Sequence, residues 1–291
     1  MKASVHERWT TDWWYGFFHP HPPLLEKLKM KNCNALLVRF GLAVVMVAVV
    51  TVTTAEWLVA NSLAAKSAPK LLADYRSVNY HPKTGIWNDA SGNRCNGVLP
   101  EEAVAPTRVV KATANGSPAV SFDGKKQYLK MSKGLPPGRG YTIVAFAKPQ
   151  GSNARIATAI AAGGPGSLEY RIQTMSNGQN KQVLLNTAIT AFGASHSPVP
   201  TNVFSMIAVA TDNTGNGTFY LNGNPDGTFS GHTSFTQPVW FIGAAASGSG
   251  ATPAEFFRGD IAELQVYSGV LSSERIKAIY ASLEKDYSGQ H

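Results

Sequence analysis

The chain has 291 residues, enough for one large domain with additions or for two ordinary domains. Apolar residues make up 44% and charged residues 15%, which excludes a disordered chain, while 27 Gly and 17 Pro without a G-X-Y period exclude collagen. The 26 basic and 18 acidic residues leave a net charge of +8, and two cysteines exclude a disulfide-stapled scaffold or a four-thiolate zinc site.

Residues 1–39 are basic, and Trp9, Trp13, Trp14, Tyr15, Phe17 and Phe18 crowd into one short stretch. A segment this short cannot bury six aromatic rings in a core of its own. They are expected to rest on a partner protein or a membrane surface, where such rings are favoured. His19-Pro20-His21-Pro22-Pro23 forces an extended break, and its two imidazoles read as a solvated turn without a third metal ligand nearby.

From Phe40 to Ala55 the chain carries no charge. Sixteen residues reach only about 24 Å, short of a hydrocarbon core of about 30 Å. The apolar character resumes after Glu56 with Trp57, Leu58, Val59 and Ala60, so residues 40–65 are long enough to span. Phe40, Glu56 and Trp57 fall at the membrane interface, where Glu56 can snorkel and Trp57 suits the headgroups. A buried soluble helix and a cleaved signal peptide ending near Ala64 are the competing readings. Lys27, Lys29, Lys31 and Arg39 before the span against Lys66, Lys70 and Arg76 after it put the N-terminus in the cytoplasm. The C-terminal part is then periplasmic or extracellular, and Cys33 and Cys95 lie on opposite sides, unable to pair.

Residues 66–74 read as a tether. Beyond them, residues 75–291 show short β-rich runs divided by Gly, Asn, Pro and Ser. Strands are predicted at 119–122, 141–148, 156–161, 168–174, 181–186, 204–211, 217–221, 239–242 and 259–267. The 141–148 run is mostly apolar, as for a strand covered on both faces, and Asn222-Gly223 is a hairpin signal. One helix is predicted near the end, capped by Ser272, with Ile276, Ile279, Tyr280 and Leu283 on one face. Its apolar stripe is expected to dock beside the sheet edge. Nine strands without alternating helices mean an all-β fold, a two-sheet antiparallel sandwich or jelly roll with a C-terminal helix, preceded by one transmembrane helix.

Four elements in order carry a resemblance: Gly85-Ile-Trp-Asn-Asp-Ala-Ser-Gly-Asn93, Pro118-Ala-Val-Ser-Phe-Asp-Gly124, Phe204–Ala210 with Phe219-Tyr-Leu-Asn-Gly223, and Phe257–Tyr267 followed by Leu271-Ser-Ser-Glu274. Over about residues 75–287 the chain resembles the laminin-G-like branch of the concanavalin A-like lectin/glucanase superfamily. The resemblance implies a sandwich that binds sugars or proteins; some members are glycosidases, and some bind calcium.

Hydrolysis of a glycoside needs two carboxylates facing one sugar. Glu255, Asp260 and Glu263 form the best cluster, but Asp260 and Glu263 differ by three and a regular strand points them to opposite sides. Asp123 reads as a turn residue bonding its own backbone. No G-x-S-x-G elbow or phosphate loop occurs, so no enzyme is expected. Asp89, Asp123, Asp212 and Asp260 could offer oxygens to a structural calcium, but they are dispersed, and no cofactor is favoured. Scattered positive charge without a recognition motif argues against nucleic acid. The function expected first is a non-catalytic structural subunit of a membrane complex, binding its neighbours and the bilayer. The alternative is an anchored lectin-like module that binds surface glycan or an extracellular protein. A sugar platform would draw on Tyr170, Trp240 and Phe257, although Trp87 and Trp240 also suit a core.

Overall fold

The computed structural model describes residues 68–134, 140–150, 156–162, 168–175, 177–186, 190–212, 214–230, 240–246 and 253–288. The expectations for residues 1–67, among them the Trp9–Phe18 cluster, Cys33 and the span with Phe40, Glu56 and Trp57, lie outside the described residues. Among the described residues, no helix is long and apolar enough to cross a membrane.

The strands are β1 (Leu71–His81), β2 (Ile86–Asp89), β3 (Gly97–Val98), β4 (Thr107–Val109), β5 (Ala119–Asp123), β6 (Leu129–Met131), β7 (Tyr141–Pro149), β8 (Ile156–Ala162) and β9 (Leu168–Thr174). They continue as β10 (Asn180–Asn186), β11 (Thr190–Ala194), β12 (Ser205–Thr211), β13 (Gly217–Leu221), β14 (Asn224–Phe229), β15 (Trp240–Ile242), β16 (Ala245–Ala246), β17 (Pro253–Ala254) and β18 (Arg258–Ser268), followed by helix α1 (Ser273–Tyr287). The nine predicted strands are all present, with ends shifted by at most one residue. The prediction missed β1, which begins at Leu71 inside the stretch read as a tether. It also missed β11 and β14, of five and six residues, and the shorter β2, β3, β4, β6, β16 and β17, which carry too few residues to show a period.

Hydrogen bonding runs in the order β11-β10-β9-β8-β15-β6-β3-β2-β1-β18-β7-β12-β13-β14, with β5 and β4 added beside β18. This ribbon folds into two facing sheets, β11 to β6 on one side and β1 to β14 on the other, with β3 and β2 between them. Their inner faces share one core, in which Tyr141 of β7 meets Trp240 of β15 edge-on at 5.4 Å. A polar tie crosses the same gap: the Gln182 amide donates to the Tyr220 carbonyl at 3.0 Å.

Strands β7 and β12 are buried along almost their whole length because the second sheet is covered twice. Ile143, Ala145 and Ala147 of β7 face the sandwich core, while Val144 and Phe146 face helix α1. The helix starts as predicted, with the Ser272 hydroxyl accepting from the Arg275 amide at 3.3 Å. Ile276, Ile279, Leu283 and Tyr287 are its buried face, and they pack on Met206, Ala208 and Ala262. It therefore lies across the face of the sheet, not along its edge, because the outer side chains of β7, β12 and β18 are themselves apolar. The Asn222-Gly223 turn joins β13 to β14 with both residues at positive φ, 48° and 78°.

Candidate functional site

The carboxylate cluster is split by the fold: Glu255 pairs with Arg171, while Asp260 and Glu263 lie under the helix with separate partners. A bulge between Ile261 and Glu263 shifts the register of β18 against β7. Asp260, Ala262 and Glu263 consequently all meet the helix-covered face, and the parity rule that separated Asp260 from Glu263 fails at this position. Asp260 is closed off by Lys148 at 2.7 Å, and that ammonium also sits 5.1 Å from the ring centre of Phe204. Glu263 accepts from Tyr287 Oη at 2.8 Å and from Gln265 Nε2 at 2.6 Å. Neighbouring Asp74 pairs with Arg76 at 3.0 Å, while its buried Oδ1 has no hydrogen-bond partner among the described residues.

Burial pushes the Glu263 carboxyl above its ordinary range, and the Asp74 charge adds to the effect, against weaker relief from Tyr287, Arg76 and Gln265. Asp74 is raised as well, although it has an ion-pair partner. The Arg76 side chain is 52% exposed and Asp74 only 3%, so water screens the guanidinium more than it solvates the acid. A raised carboxyl favours the fold below its unfolded pKa, about 4.3 for Glu, and the benefit fades as pH climbs through the folded value. Glu263→Gln keeps the shape and loses the charge. Its melting temperature minus that of the parent is expected to grow between pH 4 and pH 8, and a flat difference would refute the buried-acid account.

The three candidate platform residues lie in the core. Tyr170, Trp240 and Phe257 are buried, as is Trp87. Tyr170 Oη donates to Gln182 Oε1 at 2.5 Å, and Phe257 packs edge-on to Phe122 at 5.9 Å. None of them presents a ring face to a ligand. Alternation along β9 explains the error: Tyr170 and Ile172 point inward, which sends Arg171 and Gln173 to the outer face of the sheet opposite the helix.

That outer face carries the polar and aromatic groups a ligand could use. Arg171 pairs with Glu255 through Nη1 and Oε2, and its Nε donates to Gln173 Oε1 at 3.1 Å. The pair is partly accessible, with side chains 11% and 25% exposed. Glu255 is held at φ 49°, in the left-handed region that non-glycine residues rarely occupy, and next to it Phe256 leans on Tyr128 at 5.9 Å. Phe241 of β15 meets Tyr128 edge-on at 5.7 Å. Tyr128 Oη donates to Glu102 at 2.6 Å, which holds that carboxyl below its usual range, while burial pushes the phenol up. Tyr128 and Phe241 are themselves buried, at 2% and 3% exposed, so the groups that reach this surface are the guanidinium, the carboxylate, the amide and the half-buried Phe256 ring, a set suited to a ligand with several hydroxyls. The sequence signal was present in the polar residues alternating with Tyr170 and Ile172, but only the fold brings Glu255 and Phe256 beside them.

The oxygens considered for calcium mostly serve turns. Asp89 accepts from the amides of Asp74, Ser91 and Cys95 and from the Ser91 hydroxyl, so the Trp87–Asn93 element fastens the start of β1 to the turn after β2. Asp123 accepts from Lys125 N at 2.8 Å, as the sequence predicts, and Asp212 from Thr214 and Asn216. Among the described residues, no group of three His, Cys, Asp or Glu could hold a metal. Cys95 is a buried free thiol.

The family profile of the concanavalin A-like lectin/glucanases matches residues 123–277, more than half of the chain. The chain belongs to this superfamily. Its fold is also that of domain 4 of an extracellular arabinanase from Geobacillus stearothermophilus, solved in complex with arabinotriose. That match has a TM-score of 0.56 at 19% identity and covers 73% of this chain and 98% of that domain. A sialidase from Trypanosoma rangeli, solved as a covalent intermediate with 2,3-difluorosialic acid, matches with a TM-score of 0.51 at 16% identity, over 75% of this chain and 33% of the sialidase. This superfamily chain therefore spans about a third of that enzyme, and identities this low describe a shared fold. No curated protein matches it in sequence. These findings overturn the expectation of a structural subunit of a membrane complex: the superfamily and the shared folds are those of lectins and of glycan-processing proteins.

Proposed function

We propose that the superfamily domain is a non-catalytic carbohydrate-binding module whose ligand lies on the outer face built by Arg171, Gln173, Glu255 and Phe256, with buried Tyr128 and Phe241 supporting the Phe256 ring. The observation that carries this reading is the partly accessible Arg171–Glu255 pair, next to the half-buried Phe256 ring that packs on Tyr128. A planar guanidinium and a carboxylate can each bridge adjacent hydroxyls, and the Phe256 ring supplies an apolar edge. The arabinanase domain solved with arabinotriose has the same fold over 98% of its length, which supports a neutral oligosaccharide as the ligand class. A binding rather than hydrolytic role is favoured by the fate of the acids. Asp260 and Glu263 lie 3% and 5% exposed under the helix, Asp260 closed off by Lys148 and Glu263 held by Tyr287, so the two do not face one sugar as a catalytic pair.

The test is retention of the full-length chain on insoluble arabinan, with soluble arabinotriose as competitor. Arg171→Ala and Phe256→Ala are each expected to weaken binding about tenfold. A parent chain that arabinan, xylan and galactan all fail to retain would refute the proposal, as would variants that bind like the parent. Release of reducing sugar from arabinan would refute the non-catalytic part.

We also infer that residues 40–65 anchor this module at a membrane, with the sandwich outside the cytoplasm; the charge-free run Phe40–Ala55 supports this. Alkaline carbonate is expected to leave the chain in the membrane pellet. Its release without detergent would count against an anchor.

A further inference from the structure

On the opposite side of the sandwich a second polar site is present. A cleft of about 190 Å³ opens between helix α1 and the outer face of β1 and β18. Its lining is mainly polar and mixes two guanidiniums, Arg76 and Arg275, with two carboxylates, Glu263 and Asp286, beside the buried Ile279 and Leu283. Several of these groups keep hydrogen-bonding capacity in reserve. Among the described residues the Arg275 guanidinium makes no hydrogen bond, its backbone amide alone serving the helix cap. Each Glu263 oxygen accepts a single bond, leaving a lone pair on both. Asp286 accepts on Oδ2 from Ser282 at 3.5 Å.

We propose that this cleft binds one neutral sugar residue, at a site separate from the Arg171 face and going beyond the reading given for it. An anion entering here meets Glu263 and Asp286, and a cation meets Arg76 and Arg275. A neutral polyol meets neither penalty. Each of its hydroxyls can donate to a carboxylate and accept from a guanidinium, and charged partners make such bonds the strong ones. At about 190 Å³ the cleft is smaller than the roughly 300–1,000 Å³ typical of drug-sized ligand pockets, which suits a single ring. The cleft is also preformed, because Tyr287 and Gln265 hold Glu263, and Tyr267 Oη holds Gln265 at 2.8 Å, so little has to be ordered on binding.

The experiment titrates the full-length chain with L-arabinose, D-galactose and D-glucose, and with D-galacturonate and inorganic phosphate as charged probes. Saturation-transfer NMR and the rise in melting temperature are the readouts. At least one neutral monosaccharide is expected to bind and the charged probes to bind more weakly. Arg275→Gln and Asp286→Asn are expected to weaken that binding about tenfold, with the ligand-free melting temperature and retention on arabinan unchanged. Arg171→Ala is expected to do the reverse, losing arabinan and keeping the monosaccharide. The proposal is overturned if no neutral monosaccharide binds, if galacturonate or phosphate binds in preference, or if the Arg275 and Asp286 variants bind like the parent. Loss of arabinan retention alone would sink the sheet-face reading and leave the cleft standing.

Discussion

Truncating Trp240 to alanine is expected to cost about 4 kcal/mol and to lower the melting temperature by roughly 10 °C. The indole is 1% exposed, lies between the two sheets edge-on to Tyr141, and belongs to β15, which links β8 to β6. Removing it leaves a cavity bounded by strands on several sides, which cannot all collapse inward. Its Nε1 has no hydrogen-bond partner among the described residues, so Trp240→Phe gives up ring volume without breaking a bond and is expected to cost less than half as much. Thermal melts of the two variants, read beside arabinan retention at a temperature where both are folded, separate core from ligand. If Trp240→Ala kept its melting temperature and lost retention, the ring would have to be a binding surface after all.

Gly140→Ala should be comparably severe for a different reason. Gly140 sits at φ +76°, and a Cβ added there would run into the Thr211 carbonyl oxygen and lie 2.6 and 2.7 Å from the Asp212 Cα and carbonyl carbon. All three obstacles are backbone, so no rotamer change relieves them. The Gly140 carbonyl also accepts from Gly269 N at 2.8 Å, which pins the turn before β7 to the turn after β18. Left-handed strain and overlap together are expected to cost about 4 kcal/mol. Gly92→Ala is the control: its φ is +87°, but nothing lies within 4 Å, so only the conformational cost of about 1–2 kcal/mol remains. Equal melting temperatures for the two variants would mean that the backbone at Gly140 moves aside.

The membrane-subunit reading rested on residues 9–18 and 40–65, where composition is emphatic, and it extended that emphasis to the whole chain. The superfamily match lies elsewhere, over residues 123–277, and it is there that the function has to be sought. The error at Tyr170 was smaller and more instructive. Large aromatics attract attention as sugar platforms, yet in a sandwich the inward half of each strand takes the largest rings, and the polar residues one step away reach the surface.

Periodicity, turn chemistry and capping are local properties, and they sufficed for the all-β class, nine of the strands within one residue, the Asn222-Gly223 hairpin and the capped helix with Ile276, Ile279 and Leu283 on its buried side, though not for the 11-residue β1. Contacts across tens of residues are set by register and by which sheet meets which, and a single sequence records neither. The bulge at Ile261–Glu263 that turns Glu263 under the helix, the meeting of Arg171 with Glu255 across 84 positions, and the cleft between Arg76 and Arg275 were therefore decided by the tertiary structure alone.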